Sequence, residues 1–256
     1  MSTEKVALLE KQDGIAVITL NRPEVKNCCN NALAVALQDI MDEIDEDKQC
    51  FAAVITGAGG NFSTGADLKE AASGTKRVKL RRGGFGCFIH PLTKPIIAAV
   101  EGYAVGGGFE LTMTCDMVVA AANARFGLPE VKHNLVAVGG GLFRLPKKIP
   151  YNIAMEMALT GKLYDVDFLK PYGLLNRVVE PGQALDAALE LARSLLVNGP
   201  TALAASKQIM SKAFEWQELQ AWENQLPLAG IALNSKDRVE GLKAFAQKRA
   251  PVWSGE

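Results

Sequence analysis

The first half of the chain consists largely of short apolar runs that end at glycine, proline or asparagine, a pattern typical of buried strands. Residues 5–9 and 15–20 are two such runs, and the Asp13-Gly14 pair between them predicts a β-hairpin. Three later runs predict further strands at residues 51–57, 96–100 and 117–121.

Elsewhere, apolar residues recur at helical spacing. They do so after Asn30 and Asn31, either of which can cap a helix that reaches Ile44. The glycines at 106–108 open a second, apolar helix that ends near Cys115. Beyond residue 150 strand signals are scarce, and helices are predicted at residues 153–159, 183–196, 201–225 and 236–248, with one strand at 174–179. Strands that alternate with helices predict an α/β core, followed here by a helical C-terminal region.

Composition narrows the class of protein. The 256 residues are 48% hydrophobic and 22% charged, and 28 basic residues balance 28 acidic ones. Zero net charge gives no overall attraction to nucleic acid or to an anionic membrane, so we expect neither as a partner. No apolar run reaches the roughly 18 residues that a membrane-spanning helix needs, and residues 1–5 lack the apolar core of a secretory signal. These features favour a cytoplasmic protein.

Five cysteines, an odd number, stand at positions that match no zinc-binding spacing. We therefore expect reduced thiols and no metal site, as in a cytoplasmic protein. Cys28 and Cys29 are adjacent, so they are either a reactive pair or small packing residues.

Residues 69–92 are predicted to form a helix and a mobile loop. Basic residues crowd there, at positions 76, 77, 79, 81 and 82, just before Gly83 and Gly84. This cluster is either a solvated basic face or a contact for an anionic ligand.

Three glycine-rich segments follow predicted strands, at residues 57–68, 102–110 and 138–142. None has the spacing of a phosphate-binding loop or of a dinucleotide-binding turn. Glycine lets the backbone come close to a ligand, and the first N–H groups of a helix have no internal partner. The N–H of Gly107, with a second donor from the Gly65-Ala66 loop, can therefore form an oxyanion hole. Tight packing alone is the alternative reason for these glycines.

Two carboxylates lie close in sequence to the glycines. Glu110 falls in the first turn of the apolar helix, and Glu130 follows Pro129. Two carboxylates beside one oxyanion hole suit general acid–base catalysis. An acid in a first helical turn is also commonly a partner for the helix dipole, and spacing alone leaves open whether the two side chains converge.

In their order and spacing, these segments resemble the crotonase, or enoyl-CoA hydratase/isomerase, superfamily along nearly the whole chain. Each segment is weakly specific alone, and the set together is highly specific. The matching segments are ITLNRP at 18–23, TG at 56–57 through FSTGADL at 62–68, KPIIAAVEGYAVGGGFEL at 94–111, CD at 115–116 and ARFGLPE at 124–130.

The resemblance implies a spiral of repeated strand–strand–helix (ββα) turns with a helical C-terminal region, assembled as a homotrimer or a dimer of trimers. It implies an acyl-coenzyme A substrate, with coenzyme A as part of that substrate and no separate cofactor. The oxyanion donors of the family fall on the backbone N–H groups of Ala66 and Gly107. The two glutamates of the family's hydratases fall on Glu110 and Glu130, which would hold and activate one water for attack at C3.

The resemblance also implies contacts to coenzyme A and substrate. At two positions, this sequence departs from the pattern of the family's hydratases. Lys248 resembles a family lysine that reaches the coenzyme phosphates of a neighbouring subunit, although Lys26 and Lys248 can equally be solvated surface lysines. Many hydratases have glycine at the positions of Asn134 and Val138, and the branched side chain of Val138 can narrow the acyl pocket, shift the substrate or impair the water site. The implied contact residues are Glu24, Val25, Lys26, Asp67, Leu68, Gly106, Pro129, Val138, Phe245 and Lys248.

With both glutamates present, the expected activity is reversible hydration of a trans-2-enoyl-CoA, as in fatty-acid β-oxidation. Residues 1–195 are expected to form the acyl-CoA-binding spiral, and residues 196–256 a helical region for trimerisation. The alternatives are another coenzyme A enzyme of the family, such as an enoyl-CoA isomerase or a carnitinyl-CoA dehydratase-like protein, or a non-catalytic acyl-CoA-binding member. The sequence leaves the acyl group open, and residues 69–92 are expected to shape its pocket.

Overall fold

A computed structural model of the chain describes residues 5–256. The strands are β1 Ala7–Gln12, β2 Ile15–Leu20, β3 Ala52–Gly57, β4 Ile96–Val100, β5 Tyr103–Val105, β6 Met117–Ala121, β7 Arg125–Gly127, β8 Tyr164–Asp165 and β9 Arg177–Val179. The α-helices are α1 Asn31–Glu46, α2 Leu68–Ala72, α3 Gly107–Thr114, α4 Gly141–Lys148, α5 Tyr151–Thr160, α6 Val166–Leu169, α7 Ala184–Leu195, α8 Pro200–Ala213, α9 Glu218–Leu233 and α10 Lys236–Ala246. Short 3-10 helices at Pro23–Val25, Gly84–Gly86 and Pro129–His133 complete the segments that matter for the site.

The main sheet has six strands in the order β1-β2-β3-β4-β6-β9. The predicted hairpin is confirmed: β1 and β2 pair antiparallel, and Asp13 and Gly14 both have the positive φ that a tight hairpin turn requires. The remaining neighbours are parallel. Parallel neighbours need crossover connections, and these crossovers carry the chain past the carboxyl ends of the strands, where the glycine-rich loops lie.

The sheet is buried on both faces, which explains its continuous apolar strands. Helix α7 covers one face with the small side chains of Ala184, Ala188 and Ala192. Helix α1 packs its apolar stripe, from Leu33 to Ile44, into the core on the other face. The side chain of Asn30 accepts a hydrogen bond from the N–H of Leu33 at 3.0 Å, so Asn30 is the cap of α1.

A second sheet, of order β5-β7-β8, was not predicted. Its strands are two or three residues long, too short for an alternating pattern to show in the sequence. With this sheet the chain repeats a strand–strand–helix unit, as β4-β5-α3 and again as β6-β7-α4. The α/β class and the spiral of such units are therefore confirmed.

The single helix predicted at residues 201–225 is wrong. Helix α8 ends at Ala213, and α9 begins at Glu218. Gln217 has extended backbone angles that break the helical path, and the four-residue connection folds α9 back against α8 as a helical hairpin. The helical spacing of apolar residues in the sequence continues across this turn, so the apolar pattern alone does not reveal it.

Helices α8, α9 and α10 follow residue 195, and α9 packs against α8. Lys207 on α8 joins them to the core, because its ammonium lies 2.9 Å from the Asp116 carboxylate and donates to the carbonyl of Lys94 at 2.8 Å. The division of the chain at residue 195 into a binding core and a trimerisation region stays a prediction.

In the basic cluster of residues 76–82, Arg82 is part of neither a solvated face nor a contact for an anionic ligand. Its side chain is 5% exposed, and its guanidinium donates to Asp42 and Asp45 of α1, at 2.6 Å each. Arg81 contacts Asp42 as well. These two arginines therefore tie the segment to α1, and only Arg77 of the cluster reaches the cavity described below.

The cysteines are packing residues. All five are free, and four of them are buried. Burial raises the pKa of the Cys28 and Cys29 thiols, which disfavours the reactive thiolate. Within residues 5–256, no group of three or more His, Cys, Asp or Glu side chains is arranged to hold a metal ion. In the same range, no helix has both the length and the apolar character needed to cross a membrane.

Candidate active site

A cavity of about 550 Å³ lies where the loop after β3, the N-terminus of α3 and the segment from residue 129 to residue 143 meet. It gathers nine of the fourteen site residues expected from the sequence. These nine are Ala66, Asp67, Leu68, Gly106, Gly107, Glu110, Pro129, Glu130 and Val138.

The N–H of Ala66 is turned toward this cavity. Ala66 pairs with Cys29 as an isolated parallel bridge, in which Cys29 donates to the carbonyl of Gly65 at 2.7 Å and accepts from the N–H of Asp67 at 2.9 Å. Because successive N–H groups of an extended segment point to opposite sides, the N–H of Ala66 points away from Cys29, on the side of the cavity that Ala66 lines.

The N–H of Gly107 faces the same space. Gly107 is the first residue of α3, so its N–H has no partner within the helix. Gly65 approaches it so closely that a Cβ on Gly65 would lie 2.9 Å from the nitrogen of Gly107 and 2.9 Å from the carbonyl oxygen of Val105. Gly65 also has a φ of +90°, which favours glycine. The fold therefore brings together the two N–H groups expected to form an oxyanion hole.

Glu110 points from the first turn of α3 into the buried side of the cavity. It is 4% exposed, and its Oε1 accepts a hydrogen bond from the N–H of Gly141 at 2.8 Å. Burial raises the pKa of Glu110, and this rise is opposed by the N–H groups of Gly141 and Gly139 and by the charges of Arg144 and Arg77. Glu110 is thus a buried carboxyl held by backbone donors, and it does not serve merely as a partner for the helix dipole.

Glu130 lies in the 3-10 helix Pro129–His133, on the other side of the cavity. Its Oε1 would be 2.9 Å from a Cβ on Gly106, so a glycine there leaves room for the carboxyl. Its Oε2 is the one buried side-chain oxygen or nitrogen in residues 5–256 that has no hydrogen-bond partner. Burial, together with the negative charge of Glu110, raises the pKa of Glu130. The two carboxyls therefore converge closely enough for the charge of Glu110 to disfavour the ionisation of Glu130.

Two aromatic rings that the sequence did not single out form a wall of the cavity. Phe85 and Phe88 stack with their ring centroids 4.8 Å apart. Phe85 lies against Gly107, where a Cβ would come within 2.5 Å of the ring, and Phe88 lies against Gly139, where a Cβ would come within 2.3 Å. Both rings belong to the segment 69–92, whose lack of periodicity concealed them. They give the site an apolar surface beside its polar groups.

Asp67 lines the cavity but uses its carboxylate within the chain. Its Oδ1 accepts the N–H groups of Lys69 and Glu70 at the start of α2, and its Oδ2 accepts from the Arg22 guanidinium at 3.0 Å. Arg22 and Asp67, from two different matching segments, thus hold the loop that presents Ala66. Leu68, next in sequence, is 51% exposed at the cavity rim.

The other five expected contact residues do not line the cavity. Glu24 and Val25 lie in the 3-10 helix Pro23–Val25, and the ammonium of Lys26 stands 4.7 Å from the ring centroid of Tyr103. The carbonyl of Lys26 accepts the N–H of Thr64, a residue of the cavity wall. The remaining two, at the far end of the chain, are Phe245, which is 86% exposed, and Lys248, which follows α10.

The structure gives a physical account of both departures from the family pattern. Asn134 has a φ of +52°, a left-handed conformation that glycine adopts freely and asparagine tolerates. Val138 lines the cavity with a side chain that is 78% exposed. Its methyl groups therefore stand at the open side of the cavity and are not packed against the buried carboxyls.

The raised pKa of Glu130 predicts a pH-dependent stability. A carboxyl whose pKa is raised by folding contributes stability that is fully present below its unfolded value of 4.5 and is lost as the pH rises through the folded value. Glu130→Gln cannot ionise. Urea unfolding should therefore show the variant gaining stability relative to the wild type as the pH rises above 4.5.

Glu240 provides the opposite control. The Arg249 side chain lowers the pKa of Glu240 to about 2, so its contribution is present at neutral pH and is lost as the pH falls. Glu240→Gln should therefore lose stability relative to the wild type as the pH rises above about 3. A difference between Glu130→Gln and the wild type that does not change with pH would contradict the assignment.

The family model described as Enoyl-CoA hydratase/isomerase matches residues 10–256. The carnitinyl-CoA dehydratases of Shigella flexneri and of Escherichia coli strain K12 are each 40% identical to this chain over 255 residues. In both cases the match covers 96% of this chain and 97% of the relative.

Similar solved structures point to the same family. The enoyl-CoA hydratase of Mycobacterium tuberculosis H37Rv superposes with a TM-score of 0.94 at 45% identity. A probable enoyl-CoA hydratase/isomerase of Mycobacterium abscessus superposes with a TM-score of 0.95 at 47% identity. Each match covers 99% of this chain and 100% of the other. The chain therefore belongs to the enoyl-CoA hydratase/isomerase, or crotonase, family of coenzyme A enzymes.

Proposed function

We propose that this protein is an enoyl-CoA hydratase, which adds water reversibly across the 2,3 double bond of a trans-2-enoyl-CoA. One observation carries the proposal: two glutamates with raised pKa values converge in a cavity that two unpaired backbone N–H groups also face. An acid–base pair and an oxyanion hole are the two elements that addition of water to an unsaturated thioester requires.

The backbone donors act on the thioester. As hydroxide adds at C3, the double bond shifts and negative charge collects on the thioester oxygen. The N–H groups of Ala66 and Gly107 bind that oxygen, with the dipole of α3 adding to the attraction. Donors fixed in place before the reaction need no reorganisation, and one of them is commonly worth about 3–4 kcal/mol of barrier.

The two carboxyls act on the water and on C2. Glu110, held by the N–H of Gly141, orients the water, and the unpaired Oε2 of Glu130 is free to accept a hydrogen bond from it. The pair accepts one proton from the water as its oxygen bonds to C3. Glu130 gives one proton to C2 as the enolate collapses, so the pair ends each turnover with the proton count it began with.

The stacked rings of Phe85 and Phe88 offer an apolar surface to the acyl chain. The pantetheine and nucleotide of coenzyme A would leave the cavity past Leu68 toward Glu24, Val25 and Lys26. Phe245 and Lys248 are proposed to reach the coenzyme of a neighbouring subunit. A cytoplasmic location, independence of any cofactor and a role in fatty-acid β-oxidation stay predictions.

A second candidate is a carnitinyl-CoA dehydratase-like activity. It is favoured by the 40% identity to relatives of that name over almost the whole chain. Dehydration of a 3-hydroxyacyl-CoA is the reverse of hydration and uses the same two acids, so the candidates differ in the acyl group. An isomerase needs a proton to move between carbons without water, and a purely binding protein needs neither acid.

The two acids predict the outcome of a direct test. Glu110→Gln and Glu130→Gln each remove a charge with little change of shape, so each should lower turnover of crotonyl-CoA at least about 10²-fold. The double variant should lose less than the product of the single losses, because groups that act as a unit are not additive. Loss of the enoyl-thioester absorbance band gives the rate.

Oxygen-18 water separates the competing activities, since only hydration places the label at C3. Glu180→Gln, an exposed glutamate outside the cavity, is the matched control and should retain activity. If no enoyl-CoA of any chain length gains label, the hydratase proposal fails. Label found only with a quaternary-ammonium acyl group would favour the dehydratase. If only Glu130→Gln impairs turnover and no label enters, the isomerase is favoured.

Gly65→Ala should impair the oxyanion hole. The new methyl group would press on the nitrogen of Gly107 from 2.9 Å, so turnover should fall about 10²- to 10³-fold if that donor moves. Gly173→Ala is the control, because Gly173 has a similar φ of +74° and open space around its Cβ position. Both variants carry the strain of a left-handed alanine, about 1–2 kcal/mol. Equal turnover in the two variants would count against the proposed hole.

We further propose that the chain assembles as a homotrimer or a dimer of trimers. None of the residues of α9, Glu218–Leu233, is buried, and the helix exposes 66% of Trp222 and 63% of Leu226. Exposed apolar faces of this kind mark interfaces. Sedimentation equilibrium at micromolar concentration should give three or six times the 27.4 kDa of one chain, and Trp222→Glu should lower that mass. A wild-type protein that sediments only as a monomer would refute the assembly.

A further inference from the structure

Arg144 lies on α4, and its positive charge acts on Glu110, but its hydrogen bonds have no part in the site as described above. Its guanidinium is partly buried and donates three hydrogen bonds: to the carbonyl of Phe88 at 2.6 Å, to the carbonyl of Gly139 at 3.0 Å and to the Thr114 hydroxyl at 3.3 Å. The three acceptors lie on three different segments of the chain. A planar guanidinium is suited to this, because its donors are held in a fixed fork.

Each of the three acceptors leads to the surroundings of Glu110. Gly139 belongs to the glycine loop in which the N–H of Gly141 binds the Glu110 carboxylate, and a Cβ on Gly139 would lie 2.5 Å from Oε2 of that carboxylate. The Thr114 hydroxyl donates to the backbone carbonyl of Glu110 at 3.0 Å. Phe88 packs against the same loop, where a Cβ on Gly139 would lie 2.3 Å from its ring.

Space for the arginine is built into the loop. A Cβ on Gly140 would lie 2.3 Å from Nη1 of Arg144, and Gly140 has a φ of +105°. The third glycine-rich segment therefore does two things at once. The N–H of Gly141 binds the Glu110 carboxylate, and the missing side chain of Gly140 leaves room for the Arg144 guanidinium beside the loop.

We propose that Arg144 is a positioning residue for Glu110: it clamps the glycine loop, α3 and the Phe88 segment so that the Glu110 carboxylate keeps its place and its ionised form. The role rests on the hydratase function proposed above. Arg144 acts through the residues that surround the Glu110 carboxylate and does not contact the substrate.

The charges around Glu110 agree with this role. The charged groups that act on it from the packed elements are Arg144 on α4 and Arg77 from the segment after α2. Glu130 of the 3-10 helix is a further titratable group in the same cavity, and the charge of Glu110 raises its pKa. Arg144 and Arg77 oppose the rise in pKa that burial causes at Glu110, and Cys87 is the other titratable group beside Arg144. Without Arg144, the Glu110 carboxyl would stay buried but would lose part of the positive charge that opposes the rise in its pKa.

Two substitutions separate the charge of Arg144 from its three hydrogen bonds. Arg144→Met removes the charge and the hydrogen bonds, so kcat for crotonyl-CoA should fall at least about tenfold, and KM should stay within about twofold. The acidic limb of the pH–rate profile should also move to higher pH. Arg144→Lys keeps the charge but loses the fork, so kcat should fall while the limb stays in place. Lys148→Met removes an exposed charge from the same helix and should change neither quantity.

A measurement without turnover keeps this inference separate from the hydratase proposal. Carbon-13 titration of the Glu110 carboxyl in the ligand-free protein, assigned with Glu110→Gln, should show a higher pKa in Arg144→Met than in the wild type or in Lys148→Met. If the wild type hydrates no enoyl-CoA, the proposed function fails, and this titration alone decides the role of Arg144. An unmoved Glu110 pKa in Arg144→Met overturns the role. If Arg144→Met does not fold, Arg144→Lys decides: full kcat overturns the role, and a reduced kcat with an unmoved limb supports it.

Discussion

The close approach of Gly65 to the first turn of α3 is the constraint on which the site depends. At this point two backbones pass with no side chain between them, and a methyl group on Gly65 would meet the nitrogen of Gly107. The approach is fixed on either side by hydrogen bonds, since Ser63 pairs with Ala104 of β5 and Ala66 pairs with Cys29. Because the contact is backbone to backbone, the positions of the two N–H groups follow from main-chain hydrogen bonds and from the start of α3. A loop held by side chains alone would leave them less well placed.

The charged residues of the matching segments divide between structure and chemistry. Arg22 and Asp67 neutralise each other and hold the Ala66 loop. Nearby, the buried amide of Asn27 accepts the N–H of Arg22 and donates to two carbonyls of the loop at residues 58–61. Arg82 likewise forms ion pairs with Asp42 and Asp45. These pairs satisfy groups that would otherwise be buried at a cost. Among the acids that line the cavity, Glu110 and Glu130 are outside these ion pairs.

Those two acids are held differently. Glu110 has backbone donors and nearby positive charge, whereas Glu130 has a buried oxygen with no protein partner. Burying a carboxyl in this way costs stability and is commonly retained where a group must exchange protons. The asymmetry suits a division of labour in which one carboxyl is fixed to orient a water and the other is free to transfer a proton.

The sequence by itself determined the α/β class, the strands of the main sheet and the glycines and glutamates of the site. It could do so because each of these leaves a local signal: an apolar run of five or six residues, a glycine-rich turn after a strand, or an acid in an apolar helical turn. The second sheet left no such signal, since strands of two or three residues are made by pairing with partners distant in the chain. The turn between α8 and α9 was hidden because the helical period runs on through it.

Only the tertiary structure decided which of the marked residues meet. Glu110 and Glu130 are twenty positions apart, and no spacing rule shows that both face one cavity, because their separation depends on how α3 and the 3-10 helix pack. Arg144 and the Phe85–Phe88 stack had no pattern to mark them. Their importance comes from contacts with Gly139 and Gly107 across the fold, whereas Arg81 and Arg82, which the sequence grouped with Arg77, proved to be bound to α1. Sequence patterns report the local backbone and its burial, and the chemistry of this site arises from the packing of segments that are remote in the chain.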